Sequence, residues 1–224
     1  MPVQHASEII SLTKDYFRQQ AEFGLGEWYL SFHEAKGVSS LPSLDELCDQ
    51  VKDCQRCPLW KSRTNFVFGA GNEKAELAFI GEAPGRDEDL QGEPFVGRAG
   101  QLLTRIIEAI QFRREDVFIG NILKCRPPEN RDPLPEEIES CLPILDAQLR
   151  IIRPKVICTL GRIAAQTLLQ TNASLSRLRG RVHNVRGVKT IVTYHPAALL
   201  RNPNLKRPTW EDMQLLQREY DRLK

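Results

Sequence analysis

Two sets of residues in this sequence have types and spacing suited to chemistry. The first is a set of cysteines. Cys54-Gln55-Arg56-Cys57 places two thiols one turn apart, where both reach one metal centre. Cys125 stands in a proline-rich turn after an apolar run, and Cys141 follows with 15 residues between them. Four thiolates suit zinc or an iron–sulfur cluster equally well by count. The spacing leans slightly toward iron–sulfur, because structural zinc sites more often use two short pairs. Cys48 and Cys158 fall outside the pattern, and Cys158 sits in an apolar run that reads as core. The second set lies in Gly81-Glu82-Ala83-Pro84-Gly85, running on through Glu88 and Gly92 to Phe95, Gly97 and Gly100. It combines glycines and prolines that fix the backbone with two acids and one large ring. A loop with only a connecting role does not need that mixture.

The elements that must position these residues follow from the apolar patterns. Short apolar runs at Leu77–Gly81, Val117–Asn121, Lys155–Leu160 and Lys189–Tyr194 read as strands. Helical patterns cover about 98–111, 135–151, 161–169 and 208–223. Alternation of this kind predicts an α/β fold of three layers, α/β/α, around a central, mostly parallel four-stranded sheet. The glycine-rich stretch is then a strand-to-helix connection at a carboxyl end of the sheet, where open α/β sheets place ligands. Ser43 with Glu46 three residues on predicts a capping box, opening a helix that delivers Cys54 and Cys57. Residues 180–187 read as a hairpin excursion before the last strand. Residues 1–40 read as an N-terminal helical extension, with Ile9, Leu12 and Tyr16 on one apolar face. Gly37-Val38-Ser39-Ser40 marks the boundary, leaving residues 41–224 as the main domain.

Composition narrows the function classes. The 224 residues are 41% hydrophobic and 27% charged, which suits one domain with a sizeable core and an appendage. Net charge is only +2, so any nucleic-acid face depends on uneven distribution of charge. No apolar run reaches membrane-spanning length and no signal-peptide pattern is present, which points to a soluble cytoplasmic protein without membrane association. Six cysteines in that setting favour free thiols or metal ligands over a disulfide framework. Gly69-Ala70-Gly71 precedes its strand instead of following it, which is the wrong context for dinucleotide phosphates.

The run from Gly81 to Gly100, with Asn121-Ile122-Leu123-Lys124-Cys125-Arg126-Pro127-Pro128 and His195-Pro196-Ala197-Ala198-Leu199-Leu200-Arg201, resembles the iron–sulfur (family 4) uracil-DNA glycosylases. The likeness covers about residues 50–215 and includes the four cysteines in order. It implies a [4Fe–4S] cluster on Cys54, Cys57, Cys125 and Cys141, in a structural role. It implies a monomeric enzyme that acts on uracil-containing DNA, single- or double-stranded, flips the base out and hydrolyses its N-glycosidic bond. By the same resemblance Phe95 stacks on the flipped base, Asn121 reads its edge, and His195 stabilises the departing anion through O2. Glu82 and Ala83 line the base pocket, with Glu82 crowding C5. The wider superfamily has an aspartate where Ala83 stands, so the water-positioning acid is sought in Glu88 first and Glu82 second. Leu199, Leu200 and Arg201 form the expected wedge into DNA. Arg177, Arg179, Arg181, Arg186, Lys124, Arg126, Lys206 and Arg207 are candidate phosphate contacts. The covalent uracil-binding branch carries a histidine-bearing basic insertion that Cys125–Arg131 lacks. A related protein that kept the cluster but lost catalysis is the competing reading.

Overall fold

The computed structural model describes residues 41–224; the helical extension expected over 1–40 lies outside the described residues. Helix α1 (Leu44–Val51) begins at the expected capping box. The Ser43 hydroxyl accepts from the Glu46 amide, and the Glu46 carboxylate accepts from the Ser43 amide. Its apolar stripe, Leu44, Leu47 and Val51, is buried, and the helix packs on α4 (Pro135–Ile152).

The sheet is built around β2 (Leu77–Gly81), in which all five residues are buried. It pairs in parallel with β3 (Phe118–Asn121) on one side and β4 (Val156–Leu160) on the other, and β4 pairs in parallel with β6 (Val188–Thr193). These are the four strands expected from sequence. Two antiparallel edge strands, β1 (Ala70–Gly71) and β5 (Val182–Val185), extend the sheet to six strands in the order β1-β3-β2-β4-β6-β5. The expected count of four is corrected on physical grounds. A two-residue strand has no period to read, and only the last residue of β5 is buried. The expected hairpin is real: β5 returns into β6 through Arg186 and Gly187, both at positive φ (52° and 87°).

One face of the sheet packs Phe79, Ile119, Cys158 and Ile191 against Leu103 and Ile107 of α3 (Arg98–Ala109) and Met213 and Leu216 of α8 (Lys206–Asp221). On the opposite face Val192 meets Ala165 of α5 (Arg162–Leu169) and Leu178 of α6 (Leu175–Leu178). Helices on both faces complete the three layers. Because β2 sends its chain to β3 on one side and is flanked by β4 on the other, a crevice opens at their carboxyl ends. Gly81 pairs with Asn121 at that edge, so the glycine-rich stretch and Asn121 start side by side.

Candidate active site and thiol cluster

The connection after β2 is not an open loop. It contains a short helix, α2 (Arg86–Gln91), which the sequence pattern did not reveal because only six residues form it. Glu88 is its organiser. One carboxylate oxygen accepts from the Gly85 amide at 3.1 Å, and the other accepts from Val96 at 3.0 Å and Gly97 at 3.2 Å. This binds the two ends of the connection together around α2. Three backbone amides thus take most of the acceptor capacity of Glu88, so its observed work is holding the connection, with one position left on the oxygen that meets Gly85. Asp89, unremarked in the sequence, is 3% exposed and accepts from the Thr64 and Asn65 amides, fastening the preceding segment to α2.

Phe95 is 5% exposed and held at φ 55°, a left-handed conformation that a large L-residue rarely adopts. Two glycines permit this. A Cβ on Gly100 would overlap the Phe95 carbonyl, and a Cβ on Gly81 would overlap the Asn121 Oδ1 and stand 2.6 Å from Phe95 Cζ. Gly81 thus lets the ring and the amide converge. Asn121, 2% exposed, ends β3 with a buried Oδ1 that has no hydrogen-bond partner among the described residues. A buried acceptor in that state is destabilising unless a ligand donor meets it.

His195 follows β6 and caps α7 (Pro196–Arg201). Its Nδ1 accepts from the Ala197 amide at 3.1 Å. Burial, with the positive charge of Arg201 as a lesser cause, pulls its pKa down to about 4. The ring is therefore neutral at pH 7 with its proton on Nε2, a fixed donor. Its centroid lies 5.5 Å from that of Phe95, at 31°. Phe95, Asn121 and His195 come from three segments far apart in sequence and meet at one edge of the sheet. Glu82, half-buried at the start of the same connection, has its carboxyl pKa raised by burial and by Asp132, with Arg162 opposing. Ala83 is half-buried beside it.

The other DNA-facing expectations divide. Leu200 is 42% exposed and Arg201 is exposed, but Leu199 is 2% exposed. Leu199 is corrected to a core residue, because it projects from the inner side of α7. Lys124 is fully buried and is corrected likewise: a side chain without solvent access cannot meet a phosphate. Arg179 pairs with the buried Asp212 at 2.6 Å and lies over the Tyr194 ring, and Arg186 pairs with Asp146. Arg177, Arg181, Lys206 and Arg207 remain exposed.

The four thiols of the cysteine pattern are electrostatic neighbours. Burial raises the pKa of Cys57, with Cys54 adding to it, and raises that of Cys125, with Cys57 and Cys54 adding. Burial pushes Cys141 up to about 12, and Cys125 and Cys57 contribute in the same direction. Among the described residues no three His, Cys, Asp or Glu side chains stand in a coordinating arrangement. The donor set nevertheless fits a cationic centre. The Arg63 guanidinium donates to Cys125 Sγ at 3.2 Å, and the Lys124 amide donates to Cys141 Sγ at 3.3 Å. Such donors support thiolate charge, which burial otherwise disfavours without a metal. Cys158 is fully buried in β4, as expected of a core residue, and Cys48 is half-buried on α1.

A mostly parallel sheet with an aromatic ring, a buried amide and a neutral histidine at its carboxyl edge has the layout of a ligand site in an α/β enzyme. The chain belongs to the uracil DNA glycosylase superfamily, whose pattern matches residues 68–214. It is 53% identical over 174 residues to the type-4 uracil-DNA glycosylase of Archaeoglobus fulgidus, covering 74% of this chain and 87% of that protein. The corresponding Saccharolobus solfataricus protein is 50% identical over 181 residues, with 77% and 84% coverage. That of Thermotoga maritima is 45% identical over 175 residues, with 76% and 91% coverage. No described helix is long and apolar enough to cross a membrane.

Proposed function

We propose that this protein is a DNA-repair glycosylase that takes uracil out of the stack and hydrolyses its N-glycosidic bond, leaving an abasic site. The observation that carries the reading is the buried Asn121 Oδ1, without a partner among the described residues, in a site shared with Phe95 and the neutral His195. Uracil presents N3–H, which that oxygen accepts, and O4, to which the amide NH2 donates. Cytosine presents the reverse pattern and leaves the buried amide unmatched, a larger penalty than a lost contact. Phe95 supplies the stacking surface, worth about 1–3 kcal/mol. As the bond breaks, negative charge grows on the base, and His195 Nε2–H stabilises it at O2 without transferring a proton.

Glu82 is the acid we assign to orienting water, since Glu88 is largely occupied by the backbone. Glu82 also narrows the pocket near C5, with Ala83 beside it. Leu200 fills the gap left by the flipped base, and Arg201 contacts the DNA backbone. Cys54, Cys57, Cys125 and Cys141 hold a [4Fe–4S] cluster. Bound there, it supplies a rigid multivalent link between the segment after α1 and the β3–α4 connection, so that metal binding contributes to folding. The enzyme acts as a cytoplasmic monomer. A catalytically silent binding module would have no need for a preformed amide and histidine in one crevice.

The test is incubation of purified protein with a uracil-containing oligonucleotide, then alkali to cleave abasic sites. Strand cleavage dependent on uracil is expected. Intact strands from protein that binds the oligonucleotide would favour the silent module.

A further inference from the structure

Lys124 was a candidate phosphate contact by sequence, yet its side chain is fully buried. As a donor the residue makes three hydrogen bonds. Nζ donates to the Asn121 carbonyl at 2.9 Å and to Gln148 Oε1 at 2.7 Å, while its own amide donates to Cys141 Sγ at 3.3 Å. Gln148, fully buried on α4, in turn donates to the Phe68 carbonyl at 3.0 Å. One residue therefore touches the backbone of the base-reading asparagine and the sulfur of a cluster cysteine. The same short segment is also tied to the glycine-rich stretch, since Ile122 and Leu123 donate to the Gly81 and Glu82 carbonyls, both at 3.0 Å. Core packing alone would have been met by an apolar side chain of this length, with no buried ammonium to satisfy.

We propose that Lys124 is a positioning residue, a buried clamp that fixes the Asn121 amide relative to the thiol cluster. This rests on the reading of Asn121 as the uracil-recognising residue. The clamp acts by orientation: it holds the last peptide of β3, and so sets where the Asn121 side chain leaves the backbone. It gives the cluster a defined effect on base recognition without electron transfer, through a residue bonded to both Asn121 and Cys141.

The test is a pairwise substitution. Lys124→Met should keep the visible absorption of the cluster and lower single-turnover uracil excision by about 10–100-fold, the order expected from small misplacement of a reacting partner. In an Asn121→Ala background the same change should add less than about twofold, because residues acting as one unit are not additive. Equal losses in both backgrounds, or a wild-type rate for Lys124→Met, would overturn the clamp. So would a fall of about one in the salt slope of binding to an abasic-site duplex, which marks a lost phosphate contact. If Lys124→Met does not assemble, Gln148→Met loosens the same ammonium from its other side. It should give a smaller loss that likewise disappears in Asn121→Ala, and a wild-type rate there overturns the proposal. A wild-type rate for Asn121→Ala alone instead refutes the recognition role itself.

Discussion

Replacing His195 separates the capping job seen in the structure from the leaving-group job proposed for the same ring. Nδ1 caps α7 by accepting from the Ala197 amide, which leaves the proton on Nε2 of a ring packed beside Phe95. His195→Ala removes both. The capping loss should lower stability by about 0.5–2 kcal/mol. The leaving-group loss should lower the single-turnover rate by about 10²–10³-fold, or about 2.7–4 kcal/mol, as for removal of one oxyanion donor. His195→Ser keeps a side-chain oxygen able to cap but places no donor at the reach of Nε2. It should therefore recover most of the thermal stability and almost none of the rate. Binding to a duplex with an abasic-site analogue should barely change in either variant, because phosphate contacts dominate affinity and the histidine acts in the transition state. The assays are thermal unfolding, rapid-quench excision with enzyme in excess, and titration of labelled duplex. If His195→Ser restored the rate along with the stability, the ring would be a cap for the Leu200–Arg201 segment, and the leaving-group role would belong elsewhere.

Further outcomes follow from the same geometry. Purified protein should be brown and contain iron and sulfide; serine at Cys54, Cys57, Cys125 or Cys141 should bleach it and reduce soluble yield, whereas Cys48→Ser should not, and stoichiometric zinc in anaerobic protein would refute the cluster. Asn121→Asp should reduce uracil excision severely, since the carboxylate loses the donor to O4 and adds charge at a buried site; an unchanged rate on U·G duplexes would remove Asn121 from the pocket. Leu199→Ala should lower stability by about 2–5 kcal/mol in denaturant melts, while Leu200→Ala should leave stability nearly intact and weaken excision from duplex more than from single strands. The His195 pKa of about 4 lies below its ordinary 6.5, so the unfolded chain takes up the proton first as pH falls. Stability present above pH 6.5 should be lost progressively toward pH 4, and pH-dependent melts of His195→Ser should show a shallower loss over that window.

The four parallel strands were legible because each is a short apolar run bounded by breakers, whereas the roles of Asn121 and His195 at the ends of two of them came from the family resemblance. The capping box at Ser43 was equally plain, since both of its partners are local. What stayed hidden depends on contacts distant in sequence. The six residues of α2 carry too little periodicity to stand out, and Glu88 reads as a free acid until Val96 and Gly97 fold back onto it. Leu199 and Leu200 are adjacent and chemically alike; only the seating of α7 decides that one is core and the other exposed. Lys124 misled for the same reason. A lysine beside a cysteine in a basic run looks solvated, and its burial is explained only by Asn121 and Gln148, which receive it.

The strain at Phe95 links these observations to function. Holding a phenylalanine in the left-handed region costs about 1–3 kcal/mol and persists only where the surroundings overdetermine it. Here they do. Glu88 fixes the amides of the next two residues, Arg114 donates to the Pro94 carbonyl at 2.7 Å, and Gly100 allows the α3 backbone to close against the Phe95 carbonyl. These restraints act on the backbone on both sides of the ring, so its orientation is set before any base arrives. The Asn121 amide, paired in register with Gly81, is set by a different group of contacts. On the proposed reading, a base leaving the duplex meets two surfaces that are already fixed. That spares the entropy of ordering them in the complex, which is where a preorganised site gains its advantage over a mobile loop.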